Sequence, residues 1–129
     1  MIAHMAESRL IAIVDDDLSV LRALKRLLGA WSYRAETYQS ARAFLEALGD
    51  NLPDCLIVDL HMPEMTGLEL QRHLTRAQID IPTIVITAHD EEGVRERCRS
   101  AGATTLLTKP LKDQTLLDAI AAAGCRQRI

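Results

Sequence analysis

Aromatic side chains make up only 3% of this 129-residue chain: one Trp, two Tyr and one Phe. Its core must therefore be built from Leu, Ile, Val and Ala. Cysteine is sparse too. Cys55, Cys98 and Cys125 are an odd number at wide spacing, with no CxxC pair. That pattern suggests neither a zinc site nor a disulfide framework and fits free thiols in a reducing cytosol. Basic residues are not in excess, since the formal net charge is −3. Sequence-independent nucleic-acid binding needs a basic face, so that class is disfavoured. No apolar run approaches membrane-spanning length. The opening MIAHMAESR lacks a long apolar stretch and carries Glu7, which excludes a secretory signal. No linker, repeat or low-complexity tract is evident. What remains is 48% apolar and 26% charged, a balance expected of one globular, soluble domain with one core.

Within that composition, short strand-like runs alternate with helix-like segments. LIAIV (10–14) is continuously apolar, as a strand buried on both faces should be. Asp17 or Ser19 offers a helix N-cap, and Leu21, Leu24, Leu27 and Leu28 follow at helical spacing up to Gly29. YRAETY (33–38) is polar enough for a sheet edge. Ser40 can cap a second helix bearing Phe44, Leu45 and Leu48. CLIV (55–58) and TIVIT (83–87) are two more buried strands, the former followed by Asp59, a loop HMPEMTG and a helix with Leu68, Leu70 and Leu74. A charged helix is expected over 90–101, striped by Val94, Cys98 and Ala101. TTLLT (104–108) then runs into Lys109-Pro110, and a last helix over 113–123 carries Leu116, Leu117 and Ile120. Five βα units in succession predict a parallel sheet with helices on both faces.

Four of these strands end in a polar group: Asp15, Asp16 and Asp17 after the first, Asp59 at the third, Thr87 at the fourth, Lys109 at the fifth. In a parallel sheet all four ends share one edge, where open α/β sheets bind ligands. Adjacent carboxylates cannot all stay ionised without a counter-charge. A divalent cation such as Mg²⁺ supplies it with oxygen ligands, keeping positions open for water and phosphate. A carboxylate can also act as nucleophile toward a phosphoryl group. Such a transfer is helped by neutralising the equatorial oxygens, for which Lys109 offers a point charge and Thr87 a hydroxyl. Asp59, alone at its strand end, is the expected acceptor. Asp15 and Asp16 are the expected metal ligands, Asp17 a helix cap, and the backbone carbonyl of His61 a further ligand.

The motifs VDDD (14–17), VDLHMPEMTGLEL (58–70), VITAHD (85–90) and TKP (108–110) together resemble response-regulator receiver domains of two-component signalling. The MP-x-M-x-G loop looks most like the FixJ-type transcription-regulator receivers. The resemblance covers residues 9–123. It implies a flavodoxin-like (βα)5 sandwich with strand order 2-1-3-4-5, and a cytoplasmic phosphoacceptor switch rather than an enzyme with a metabolite substrate. It further implies Mg²⁺-dependent transfer from a sensor histidine kinase to Asp59, Asp15 and Asp16 as metal-binding acids, Thr87 as switch hydroxyl, Lys109 as the phosphate-facing lysine and a cis bond before Pro110. Relatives of this kind imply a phosphorylation-dependent homodimer through the fourth helix, fifth strand and fifth helix. They also imply control of transcription through an effector domain absent from this chain, with no direct contact of this domain with nucleic acid or membrane. One position departs from the pattern: where the family usually carries Tyr or Phe, three residues before the lysine, this chain has Leu106. The resemblance divides the chain into a flexible leader (1–8), a receiver domain (9–124) and a tail or start of a linker (125–129).

Other readings compete. An aspartyl-nucleophile phosphohydrolase usually needs a second acid two residues beyond its nucleophile, and here that residue is His61. A flavin or nucleotide carrier needs a hydroxyl- or Gly-rich loop after the first strand, where three acids would repel phosphate. A degenerate receiver acting as a constitutive interaction module is left some room by Leu106. The remaining polar residues have plain readings: His61 and His89 as loop residues beside the site, His4 and His73 as exposed, Met62 and Met65 as loop packing, Cys55 as core. Arg95, Arg97 and Arg99 with Glu91, Glu92 and Glu96 form either a solvated helix face or a partner surface.

Overall fold

The computed structural model describes residues 9–89 and 91–127. The leader expected over 1–8, His4 within it, and the last two residues lie outside that range. Five strands alternate with five helices: β1 (Leu10–Val14), α1 (Leu18–Ala30), β2 (Arg34–Tyr38), α2 (Ala41–Ala47), β3 (Cys55–Asp59), α3 (Gly67–Arg76), β4 (Thr83–Thr87), α4 (Val94–Ser100), β5 (Thr105–Thr108) and α5 (Asp113–Gln127). All strand pairs are parallel, in the order β2-β1-β3-β4-β5. This is the flavodoxin-like arrangement that the resemblance implied.

The side-chain period of two along each strand divides the core into two layers. Ile11, Ile13, Ile57, Ile84 and Ile86 point to the face covered by Leu21, Leu24 and Leu28 of α1 and Leu116 and Ile120 of α5. Ala12, Val14, Leu56, Val58, Val85 and Leu106 point to the opposite face, under Phe44 of α2, Leu70 and Leu74 of α3, and Val94 and Cys98 of α4. The central strands β3 and β4 are buried along their whole length, because helices cover both of their faces. β2 keeps its polar sequence exposed or half-buried at the sheet edge. Cys55 lies in the core, Met62 is buried in the second layer with Met65 packed against it, and His73 is exposed, as the sequence suggested.

Helix starts follow the capping chemistry. Asp17 caps α1 by accepting the Ser19 N–H at 2.9 Å, and Ser40 caps α2 by accepting the Ala43 N–H at 3.0 Å. Thr66 and Glu69 form a reciprocal capping box at the start of α3. Three helix boundaries differ from expectation. α2 ends at Ala47, so Leu48, expected within it, is instead its extended C-cap. α4 begins at Val94 rather than at residue 90, because Gly93 takes φ +83°, a left-handed conformation that a continuing helix cannot contain. α5 extends to Gln127 rather than ending at 123, so residues 125–127, expected as tail or linker, continue the helix. Neither Gly nor Pro lies between Asp113 and Ala123 to stop it, and a single glycine such as Gly124 costs a helix only about 1 kcal/mol.

Candidate phosphoacceptor site

The parallel register brings the C-terminal ends of β1, β3, β4 and β5 to one edge. Val14 pairs with Val58, Asp59 with Ile86, and Thr87 with Thr108. Asp15 and Asp59 therefore emerge side by side, and Lys109 follows one residue beyond β5. Carboxylate oxygens of Asp15, Asp16 and Asp59 all lie within 4.8 Å of one another. Asp15 and Asp59 are buried and Asp16 is exposed.

Lys109 stands between the two buried acids. Its Nζ lies 3.3 Å from Asp15 Oδ2 and 3.6 Å from Asp59 Oδ1. The other Asp15 oxygen accepts the Asp17 N–H at 2.9 Å, so a single backbone turn fixes Asp15 and aims Asp17 at the α1 start. Asp17 thus serves the helix. Its carboxyl is held below the usual range, first by the Ser19 hydroxyl and then by the Ser19 N–H. Asp59 is pushed the other way. Burial is the largest cause and the Asp15 carboxylate the next. The Lys109 ammonium and the His61 N–H pull it back without cancelling the rise.

The residues fit a hard divalent cation. Two oxygens bound to one Mg²⁺ at about 2.1 Å stand roughly 3 Å apart when adjacent and about 4.2 Å apart when opposite. Oxygens already within 4.8 Å need only a small inward movement to share an ion, and exposed Asp16 leaves a way in.

Thr87 is buried at the same edge, and its carbonyl accepts the Lys109 N–H at 2.7 Å. Its hydroxyl, however, is engaged with the segment that follows. It donates to the His89 carbonyl at 3.0 Å and accepts the His89 N–H at 3.2 Å, closing a small loop after β4. The structure therefore brings Asp15, Asp16, Asp59 and Lys109 together but leaves the Thr87 hydroxyl engaged elsewhere. His61 and His89, both exposed, stand with ring centroids 6.4 Å apart, tilted 61° to each other. The Lys109–Pro110 peptide bond is cis. Leu106 pairs with Val85 and is buried in the layer beneath α4, and its carbonyl accepts from Arg95 Nη1 at 3.1 Å.

One supporting residue was quoted in the sequence only as the glycine of the MP-x-M-x-G loop and given no role of its own. Gly67 opens α3 where its backbone passes directly over the end of β3. A Cβ there would lie 2.6 Å from the Asp59 carbonyl oxygen. The Gly67 N–H meanwhile donates to the Leu60 carbonyl at 2.9 Å. The available signal was a glycine placed immediately after a capping threonine, a position where helices do not require one.

The family model for the response regulator receiver domain matches residues 11–121. The chain belongs to that family. This receiver domain is 40% identical over 121 residues to the response regulator protein TmoT of Ectopseudomonas mendocina, an alignment covering 93% of this chain and 55% of that protein. It is 38% identical over 112 residues to the transcriptional regulatory protein FixJ of Rhizobium meliloti (strain 1021), covering 87% and 55% respectively. The receiver domain thus spans about half the length of these relatives. Among solved structures, FixJ-N superposes with a TM-score of 0.85 at 34% identity, covering 95% of this chain and 96% of that one. Among the described residues, no helix of the receiver domain is long and apolar enough to cross a membrane.

Proposed function

We propose that this receiver domain accepts a phosphoryl group on Asp59 from a phosphohistidine of a sensor histidine kinase, in the cytosol, and turns over no metabolite. The observation that carries the reading is the convergence of Asp15, Asp16, Asp59 and Lys109 at the sheet edge. Nothing in the hydrophobic core requires it. A three-acid cluster facing one ammonium is electrostatically unfavourable unless it has a use.

In the transfer, one Asp59 carboxylate oxygen forms a bond to phosphorus while the donor's N–P bond breaks. The leaving imidazole nitrogen keeps the electron pair. Asp15, Asp16, one oxygen of Asp59 and the His61 carbonyl would hold Mg²⁺, which supplies charge neutralisation for the carboxylates and one phosphoryl oxygen. Lys109, already within 3.6 Å of Asp59, is placed to neutralise a second oxygen. Thr87 supplies the third contact only after its hydroxyl leaves His89. That release makes it the switch: phosphorylation would exchange a hydrogen bond inside the loop after β4 for one to the phosphoryl group, and so reset the segment leading into α4. The ring rotation common in the family is unavailable, since residue 106 is Leu and carries no ring. The loop carrying His89 takes that part instead. The consequence would be altered homodimer contacts on the face of α4, β5 and α5, and through an effector domain, altered transcription.

Phosphoramidate, whose P–N bond resembles that of phosphohistidine, tests the chemistry without a cognate kinase. With Mg²⁺ the protein should gain one phosphoryl group by mass spectrometry, and Asp59→Asn should gain none. Equal labelling of both, or labelling of the wild type that is indifferent to Mg²⁺ and EDTA, would remove the basis for the assignment.

A further inference from the structure

Away from the acid site, α3 and α4 lie side by side and leave an open groove of about 500 Å³ between them. Arg72 and Arg76 stand on the α3 wall, four residues apart and so on one face of that helix. Arg97 stands on the α4 wall, beside the left-handed Gly93. Thr75 and Ser100 also line it, their hydroxyls donating to the Ala101 carbonyl at 3.0 Å and to Glu96. The one acid lining the groove, Glu96, is already committed: its carboxylate takes the Arg99 guanidinium on one oxygen and the Ser100 hydroxyl on the other. Among the described residues, none of the guanidiniums of Arg72, Arg76 and Arg97 has a carboxylate partner.

Three unpaired like charges on facing walls are a local excess in a chain whose formal net charge is −3. Helix-dipole placement accounts for Arg76 and Arg97, each in the last turn of its helix, but not for Arg72. Arginine forks match planar carboxylates, which they can bind in pairs. The lining side chains other than Ala101 are exposed and the groove is open, unlike a pocket that encloses a small ligand. No aromatic ring lines it to stack a base. From this charge complementarity we propose that the α3–α4 groove docks an acidic segment of a partner protein, with two or three Asp or Glu side chains meeting Arg72, Arg76 and Arg97. Because Arg97 leans on Gly93, an occupant would also contact the segment that joins the phosphoacceptor edge to α4.

The test uses the whole chain, isotope-labelled, titrated with a hexaglutamate peptide at low and physiological salt. Amide shifts should concentrate at Arg72, Thr75, Gly93, Arg97 and Ser100, and weaken as salt rises. Arg72→Gln/Arg76→Gln/Arg97→Gln should weaken binding about tenfold with an unchanged melting temperature, as expected for exposed charges. The corresponding Lys triple variant should recover part of it. Arg22→Gln/Arg26→Gln on α1 should bind as wild type does. Shifts spread over other basic residues, equal binding by the triple Gln variant, or a preference for duplex DNA over the acidic peptide would each overturn the proposal.

Discussion

Substituting Gly67 by Ala adds one methyl group at the point where α3 crosses the end of β3. The new Cβ would sit 2.6 Å from the Asp59 carbonyl oxygen and 3.1 Å from both the Asp59 carbonyl carbon and the Leu60 Cα. The first of these is about 0.8 Å inside ordinary contact. All three neighbours are backbone, so no rotamer change relieves the overlap. Either α3 moves off the sheet, straining the Gly67 N–H bond to Leu60, or the end of β3 moves and takes Asp59 with it. Forced overpacking of this kind costs about 1–3 kcal/mol. The better helix propensity of Ala returns at most about 1 kcal/mol, less at a first-turn position. A net loss of about 1–2 kcal/mol should lower the melting temperature by roughly 4–10 °C in a domain of this size. Thermal and urea unfolding measure the loss directly. Phosphoramidate labelling should slow as well, because Asp59, the proposed acceptor, sits on the displaced strand. A Gly67→Ala protein that melts within a degree of wild type and labels at the wild-type rate would refute the reasoning from close approach.

Three other outcomes are expected. Asp59→Asn without divalent cations should melt higher than wild type near neutral pH but not at acidic pH. Burial raises the folded-state pKa of Asp59, so its protonated form favours folding below the unfolded value, and that contribution is lost as pH rises through the folded value; a variant advantage that persists unchanged into acid would contradict this. Thr66→Ala removes one half of the α3 capping box and should cost about 1 kcal/mol in urea unfolding, with Glu69→Ala costing less in the same direction. Cys55, whose thiol burial pushes up to about 12, should resist alkylation at pH 8 in the native protein and react once urea unfolds it; peptide-level mass spectrometry reads this site separately, and rapid native labelling would contradict the burial.

The strands at the centre of the sheet were legible because burial on both faces forces an uninterrupted apolar run, as in LIAIV, CLIV and TIVIT. β2 was recognisable as an edge from its polarity. Boundaries set by backbone conformation were less so. Charge and apolar spacing around Glu91–Ala101 look helical throughout, and only the left-handed torsion at Gly93 moves the start of α4 to Val94. The convergence of the acids with Lys109 was readable because parallel topology alone brings strand ends to one edge. The direction of the Thr87 hydroxyl was not. It depends on how residues 88 and 89 turn after β4, and that turn has no compositional mark. The proximity of the two histidine rings depends on two loops at once, so neither local sequence encodes it. Gly67 matters through the close passage of two backbones, which only the packed structure can display.

The ion pair between Asp15 and Lys109 joins residues 94 positions apart. During synthesis the acids of β1 and β3 are therefore made long before the cation that draws them together. A nascent or proteolysed chain that stops short of β5 keeps Asp15, Asp16 and Asp59 and lacks the positive charge of Lys109. The charge balance of the edge thus arrives late, just after the last strand, and a shorter fragment does not have it.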